Sequence, residues 1–80
     1  MRVTLYGKLA DALGREVDVA IVTPCTVAAV RRRLVEDYPE IAHSFRDGRV
    51  RACMGSTLVP DDHPLSQADD IEFLAPVSGG

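Results

Sequence analysis

The last five residues, Pro76-Val77-Ser78-Gly79-Gly80, are the stretch of this chain best suited to chemistry. They follow Ile71-Glu72-Phe73-Leu74-Ala75, an apolar-rich strand pattern, and a strand ladder tolerates Pro76 only at its edge or end. A terminal pair of glycines has no Cβ atoms and no preferred sign of φ, so the backbone there is thin and bendable. Such a tail can enter a narrow slot in another protein and deliver the Gly80 carboxylate to chemistry inside it. Glycine-rich chain ends also simply fray, so the rest of the sequence has to choose between the two readings.

Few other residues compete for a chemical role. His43 and His63 are the only histidines, and neither stands at a convincing metal-ligand spacing from a cysteine or carboxylate. Asp61-Asp62-His63 reads as turn chemistry in a loop. Cys25 and Cys53 are too far apart for a Cys-x-x-Cys motif and are expected to be reduced thiols. Cys25 sits beside a helix start, which can lower a thiol pKa, but no partner base is in view and a packed thiol is expected. No Ser-His-Asp or Cys-His set can be assembled, and so small a domain offers little pocket.

The 80 residues make one domain, with 46% hydrophobic and 26% charged residues, ordinary proportions for a globular protein. Two Phe, two Tyr and no Trp leave the core to Val, Leu, Ile and Ala. A formal charge of −3 argues against a nucleic-acid partner, which calls for a basic surplus. Arg31-Arg32-Arg33 would fan around a helix and is read as a solvated outer face. No charged-then-apolar leader opens the chain and no apolar run reaches membrane-spanning length. The expectation is a soluble, cytoplasmic protein with no membrane partner.

Elements to position the tail follow from hydrophobic period. Residues 2–7 alternate, with Val3 and Leu5 on one face and Arg2, Thr4 and Tyr6 on the other. Lys8 to Gly14 spaces Leu9 and Leu13 four apart and predicts one or two helical turns with a glycine stop. Residues 15–22 alternate again, with Val17, Val19 and Ile21 inward, and are expected to pair antiparallel with the first strand. Thr26 is the candidate N-cap of a helix whose stripe is Val27, Val30, Leu34 and Tyr38, ended by Pro39. Ile41 and Phe45 suggest a further short turn before Asp47-Gly48. Arg49 to Met54 is a third alternating strand, with Val50, Ala52 and Met54 inward. Leu58-Val59 follows the Gly55-Ser56-Thr57 turn as a short edge strand, and Asp61 to Leu65 is read as loop with Leu65 packing back. After a turn at Ala68-Asp69-Asp70, Ile71 and Phe73 face inward in the last strand. Leu74 points the other way, and alternation alone gives no reason for an apolar residue there.

One amphipathic helix can cover one face of one sheet, which makes this an α+β domain. A crossover through that helix lets the first and last strands lie parallel and adjacent, the arrangement of a ubiquitin-like β-grasp. The expected fold is therefore a mixed sheet of four to five strands covered on one face by one main helix. Residues 1–76 would form the domain and 77–80 a flexible tail.

Several stretches resemble one family. Ser56-Thr57-Leu58-Val59, Asp62-His63-Pro64-Leu65, Asp69-Asp70-Ile71-Glu72-Phe73 and Pro76-Val77-Ser78-Gly79-Gly80 look like the MoaD-type small subunits of molybdopterin synthase, relatives of the ThiS sulfur carriers. The likeness runs the whole chain, including the opening strand with Lys8 and Leu9 and the helix after Thr26-Val27. It implies that Gly80 is adenylated by a ubiquitin-activating-type enzyme using ATP and converted by a sulfur donor protein into a thiocarboxylate. The large subunit of molybdopterin synthase would hold Pro76 to Gly79 in its active site while the sulfur passes to cyclic pyranopterin monophosphate, in molybdenum cofactor biosynthesis. No cofactor would be bound stably; the thiocarboxylate and a transient AMP adduct would be modifications of Gly80. The chain would be a non-catalytic subunit, inert alone, docking its partners through outward apolar residues at the matching positions Tyr6, Leu58 and Leu74.

Two turns depart from the family pattern: Gly55 stands where an asparagine is common, and Ala68-Asp69-Asp70 replaces Gly-Asp-Glu. Both leave open a carrier for another pathway, such as thiamin, cysteine or a secondary metabolite. A ubiquitin-like modifier joined to lysines through Gly80 is a further alternative, as is a plain interaction domain.

Overall fold

The computed structural model describes residues 1–46 and 49–75. The chain opens with strand β1 (Arg2–Tyr6), turns through Gly7 into helix α1 (Lys8–Leu13), and returns as β2 (Glu16–Asp18). β3 (Cys25–Thr26) runs into the long helix α2 (Val27–Asp37). A 3-10 turn (Pro39–Ile41) and helix α3 (Ala42–Arg46) follow, then β4 (Arg51–Met54), β5 (Thr57–Val59), β6 (Pro64–Leu65) and β7 (Ile71–Leu74).

The main sheet has five strands in the order β2-β1-β7-β4-β5, with β1 and β7 parallel at its centre and every other junction antiparallel. That is the predicted β-grasp, and α2 is the crossover that makes the central parallel pair possible. Val3 and Leu5 of β1, Ile71 and Phe73 of β7 and Ala52 of β4 are buried in one cluster with Val27, Val30 and Leu34 of α2. Alternation along each strand sends the intervening residues to the opposite face, away from α2. Each fully buried aliphatic side chain in that cluster contributes roughly 1.5–3 kcal/mol.

Local chemistry explains the ends of α2. Thr26, in extended conformation, accepts a hydrogen bond from the Ala29 N–H at 3.3 Å. The N–H groups of Val27 and Ala28 donate to the backbone carbonyls of His63 and Asp61. The loop read as turn chemistry is thus a cap for the helix, and Pro39 stops it as expected.

Three expectations need correction. The second strand is shorter than residues 15–22: its ladder ends where the Val19 N–H donates to the Met1 carbonyl, and Ala20 onward lies beyond the reach of β1. Val22 is left 87% exposed. Residues 61–65 are not all loop, because Pro64–Leu65 pairs with Cys25–Thr26 in a small ribbon that buries Leu65. Arg31 is not a solvated arginine. Its guanidinium lies over the rings of Phe45 and Phe73, 5.7 and 5.2 Å from their centroids, and its Nε donates to Asp61 Oδ1 at 2.9 Å. A three-residue charge run says nothing of which member faces a hydrophobic layer; the helix angle at position 31 decides it.

Candidate functional site

The candidate site is the open face of the sheet and the point where the chain leaves it. Residues paired across adjacent strands share a face, and the parallel register sets Tyr6 against Leu74. The antiparallel register of β4 and β7 sets Arg51 on the other side of Leu74. Tyr6, Leu74 and Arg51 therefore form one row across three strands, all on the side away from α2. Arg15 stands opposite Leu5 in the backbone register, its carbonyl accepting from the Leu5 N–H at 2.7 Å, but its guanidinium reaches this row, its carbon 5.9 Å from the centroid of the Tyr6 ring.

The next row reads Glu16, Thr4, Glu72, Cys53 and Leu58. Leu58 ends it on the edge strand and is 63% exposed. Of the three residues read as partner contacts, Tyr6 and Leu74 are thus brought together, while Leu58 shares their face two strands away from β7. At about 4.8 Å between neighbouring strands, Leu58 stands roughly 10 Å from the Leu74 strand, close enough for one partner to span. The remaining residues assigned to the site, Pro76, Val77, Ser78, Gly79 and Gly80, lie outside the described residues.

What precedes them is well defined. Ala75 directly follows the central strand β7 and lies against Gly7, where an added Cβ would stand 3.1 Å from the Ala75 carbonyl oxygen. Gly7 holds φ 65° and ψ −137°, a combination that only glycine adopts without strain. The turn from β1 into α1 and the exit of the chain from β7 are therefore packed backbone to backbone, next to Tyr6 and Leu74.

The hairpin that presents Leu58 is equally specific. Gly55 and Ser56 have φ of 54° and 71°, and Met54 pairs with Thr57 across this two-residue turn. Positive φ at both turn positions matches the twist of the flanking strands and suits Gly or Asn. Gly55 supplies the first of these positions without strain.

Arg15, Arg51 and Cys53 were not singled out from the sequence. Alternation of Arg51 with the inward Val50 and Ala52 could have found it. Cys53, outward but only 7% exposed, is sheltered between its neighbours Glu72 and Leu58, which cross-strand pairing alone decides. Cys25 is half-buried, and burial pushes its thiol up while the Met1 ammonium acts in the opposite sense. Proximity to the helix start does not make it a reactive thiolate. Among the described residues, no group of three or more His, Cys, Asp or Glu is placed to hold a metal ion, and no helix is long and apolar enough to cross a membrane.

Comparison with known proteins agrees with this architecture. The molybdopterin synthase sulfur carrier subunit of Escherichia coli (strain K12) is 29% identical over 80 residues, covering 100% of this chain and 99% of that protein. The crystal structure of SAMP1 from Haloferax volcanii superposes with a TM-score of 0.83 at 23% identity, covering 99% of this chain and 97% of that one. A second crystal structure, of H. volcanii small archaeal modifier protein 1, gives a TM-score of 0.80 at 20% identity, with 95% of each chain covered. These two likenesses bear on the fold. The ThiS family model matches residues 3–80, from the first strand through the terminal glycines, and the chain belongs to that family of ubiquitin-like sulfur carriers.

Proposed function

We propose that this chain is the sulfur-carrying small subunit of a molybdopterin synthase, acting through a thiocarboxylate on Gly80. The observation that supports this most is the position of β7. The strand that runs on toward Gly80 is central in the sheet and ends with Leu74 on the open face beside Tyr6. A partner that grips this pair is thereby brought next to the start of the reactive tail. The likeness to the E. coli sulfur carrier subunit over both full lengths supports the choice of pathway.

The chemistry follows from the terminal group. An α-carboxyl has a pKa of about 3.5, so Gly80 is an anion at neutral pH and a poor electrophile. An adenylating enzyme removes that difficulty: a carboxylate oxygen attacks the α-phosphorus of ATP, pyrophosphate leaves, and the acyl carbon becomes open to attack. A sulfur nucleophile supplied by a donor protein displaces AMP and leaves the thiocarboxylate. This divides covalent catalysis between proteins, one activating the acyl group and another consuming the sulfur. Inside the large subunit, the thiocarboxylate sulfur bonds to cyclic pyranopterin monophosphate, and water then hydrolyses the acyl–sulfur bond, leaving the sulfur on the pterin and returning the carboxylate of Gly80.

The test is intact-mass spectrometry of the full chain incubated with its adenylating enzyme, ATP and a sulfur donor. Replacement of oxygen by sulfur adds about 16 Da, whereas conjugation to a lysine would give far larger adducts. Pterin sulfuration that survives deletion of Gly80 in a reconstituted reaction would overturn the proposal.

A further inference from the structure

The open face is uneven in charge. In a chain of formal charge −3, the apolar pair has a cation on each side, the Arg15 guanidinium at the Tyr6 ring and Arg51 across from Leu74. Both arginines are exposed. Other arginines are matched to carboxylates of the same chain: Arg2 to Glu16 at 4.0 Å, Arg31 to Asp61 at 2.9 Å and Arg33 to Asp37 at 3.2 Å. Among the described residues, Arg15 and Arg51 form no ion pair. Arg32 and Arg46 form none either, but they belong to α2 and α3 in the layer on the opposite side of the sheet. The acids of the open face lie in the rows beyond, where Glu16 is engaged by Arg2, Glu72 faces Thr4 and Cys53, and Asp18 stands opposite Arg2.

We propose that the row Arg15–Tyr6–Leu74–Arg51 is read by a protein surface with an apolar pocket for Tyr6 and Leu74, flanked on both sides by carboxylates that receive the two guanidiniums. This rests on the carrier reading above and adds the electrostatic character of the partner. Each guanidinium offers a planar fork of donors that matches a carboxylate in two hydrogen bonds, so the charges set orientation along the row. Flanking charges of this kind speed encounter and reject partners of the wrong sign, while the apolar centre supplies most of the affinity. The order cation, apolar, apolar, cation also has a direction, because Arg15 lies beyond the β1 side and Arg51 on β4. A partner with matching acids would seat the face in one orientation and so deliver the tail the same way each time.

The experiment measures binding of the full chain to the molybdopterin synthase large subunit of the same organism, at about 50 and about 500 mM salt, where screening lengths differ several-fold. The wild-type chain, Leu74→Asp, the double variant Arg15→Glu/Arg51→Glu and the neutral Arg15→Gln/Arg51→Gln are compared, with circular dichroism to verify folding. The expected result is a loss of roughly tenfold or more for the double Glu variant at low salt, a smaller loss for the Gln variant, and a flattened salt dependence in both. Lysine substitutions at acids of the large subunit should then restore binding of the double Glu variant. Wild-type binding that is sensitive to Leu74→Asp but indifferent to both arginine variants would overturn this proposal and leave the carrier reading standing. No wild-type binding at all would remove the molybdopterin synthase reading and this proposal with it. Self-association of the free chain, lost in Leu74→Asp, would also overturn it by making a second copy the occupant of the face.

Discussion

Tyr6 and Leu74 stand side by side across the parallel junction of β1 and β7, on the face of the sheet that α2 leaves open. Their neighbours in sequence, Leu5 and Phe73, are paired in the same register and fully buried on the opposite face. One residue step therefore separates a core position from one on the open face, and the two should respond to substitution in opposite ways.

Leu74→Asp is expected to leave the monomer folded and to weaken large-subunit binding roughly thirtyfold, about 2 kcal/mol, the scale of a central apolar anchor. Titration calorimetry with thermal melts of the free chain checks both halves. Unchanged affinity would remove Leu74 from the interface.

Phe73→Ala should instead unfold the domain or come close to it. Phe73 is fully buried, meets Phe45 edge to face at 5.5 Å between centroids and supports the Arg31 guanidinium. Truncation of such a side chain costs about 3–5 kcal/mol, a large share of a small domain's stability. Denaturant titration would reveal it; a loss below 1 kcal/mol or so would contradict the packing described.

Gly7→Ala tests the junction at which the tail begins. A Cβ there must approach the Ala75 carbonyl at 3.1 Å in a backbone conformation reserved for glycine. The strain is expected to cost about 1–3 kcal/mol. A melt indistinguishable from wild type would show that the contact between Gly7 and Ala75 is not held in solution.

Thr26→Ala removes the side-chain cap of α2 and should cost about 1 kcal/mol, whereas Thr26→Ser should restore most of it. The effect stays moderate because the His63 and Asp61 carbonyls continue to serve the Val27 and Ala28 N–H groups.

Neither thiol is expected to react quickly in the native chain. Cys53 is shielded on the open face by its cross-strand neighbours, and burial holds the Cys25 thiol above its ordinary value, which lowers its thiolate fraction. Thiol titration should be slow in buffer and complete in denaturant; rapid native modification of either would contradict this.

Alternation alone placed Val3, Leu5, Ile71 and Phe73 inward and Tyr6 and Leu74 outward, because strand geometry gives a side chain only two directions. The stripe of α2, its Thr26 cap and its stop at Pro39 were equally legible, since helix period and capping are local properties. The terminal glycines and the segments around them carried the family likeness, which needs no coordinates. What local pattern could not supply was adjacency between residues distant in the chain. The row from Arg15 through Tyr6 and Leu74 to Arg51 exists only because β7 inserts between β1 and β4. Arg31 turned inward only because Phe45 of α3, Phe73 of β7 and Asp61 of the turn after β5 converge on it. Residues 20–22 kept a strand pattern with no strand to meet. Period is written into each segment by its own residues, whereas pairing and convergence depend on how whole elements close over one core, and that is decided by tertiary packing.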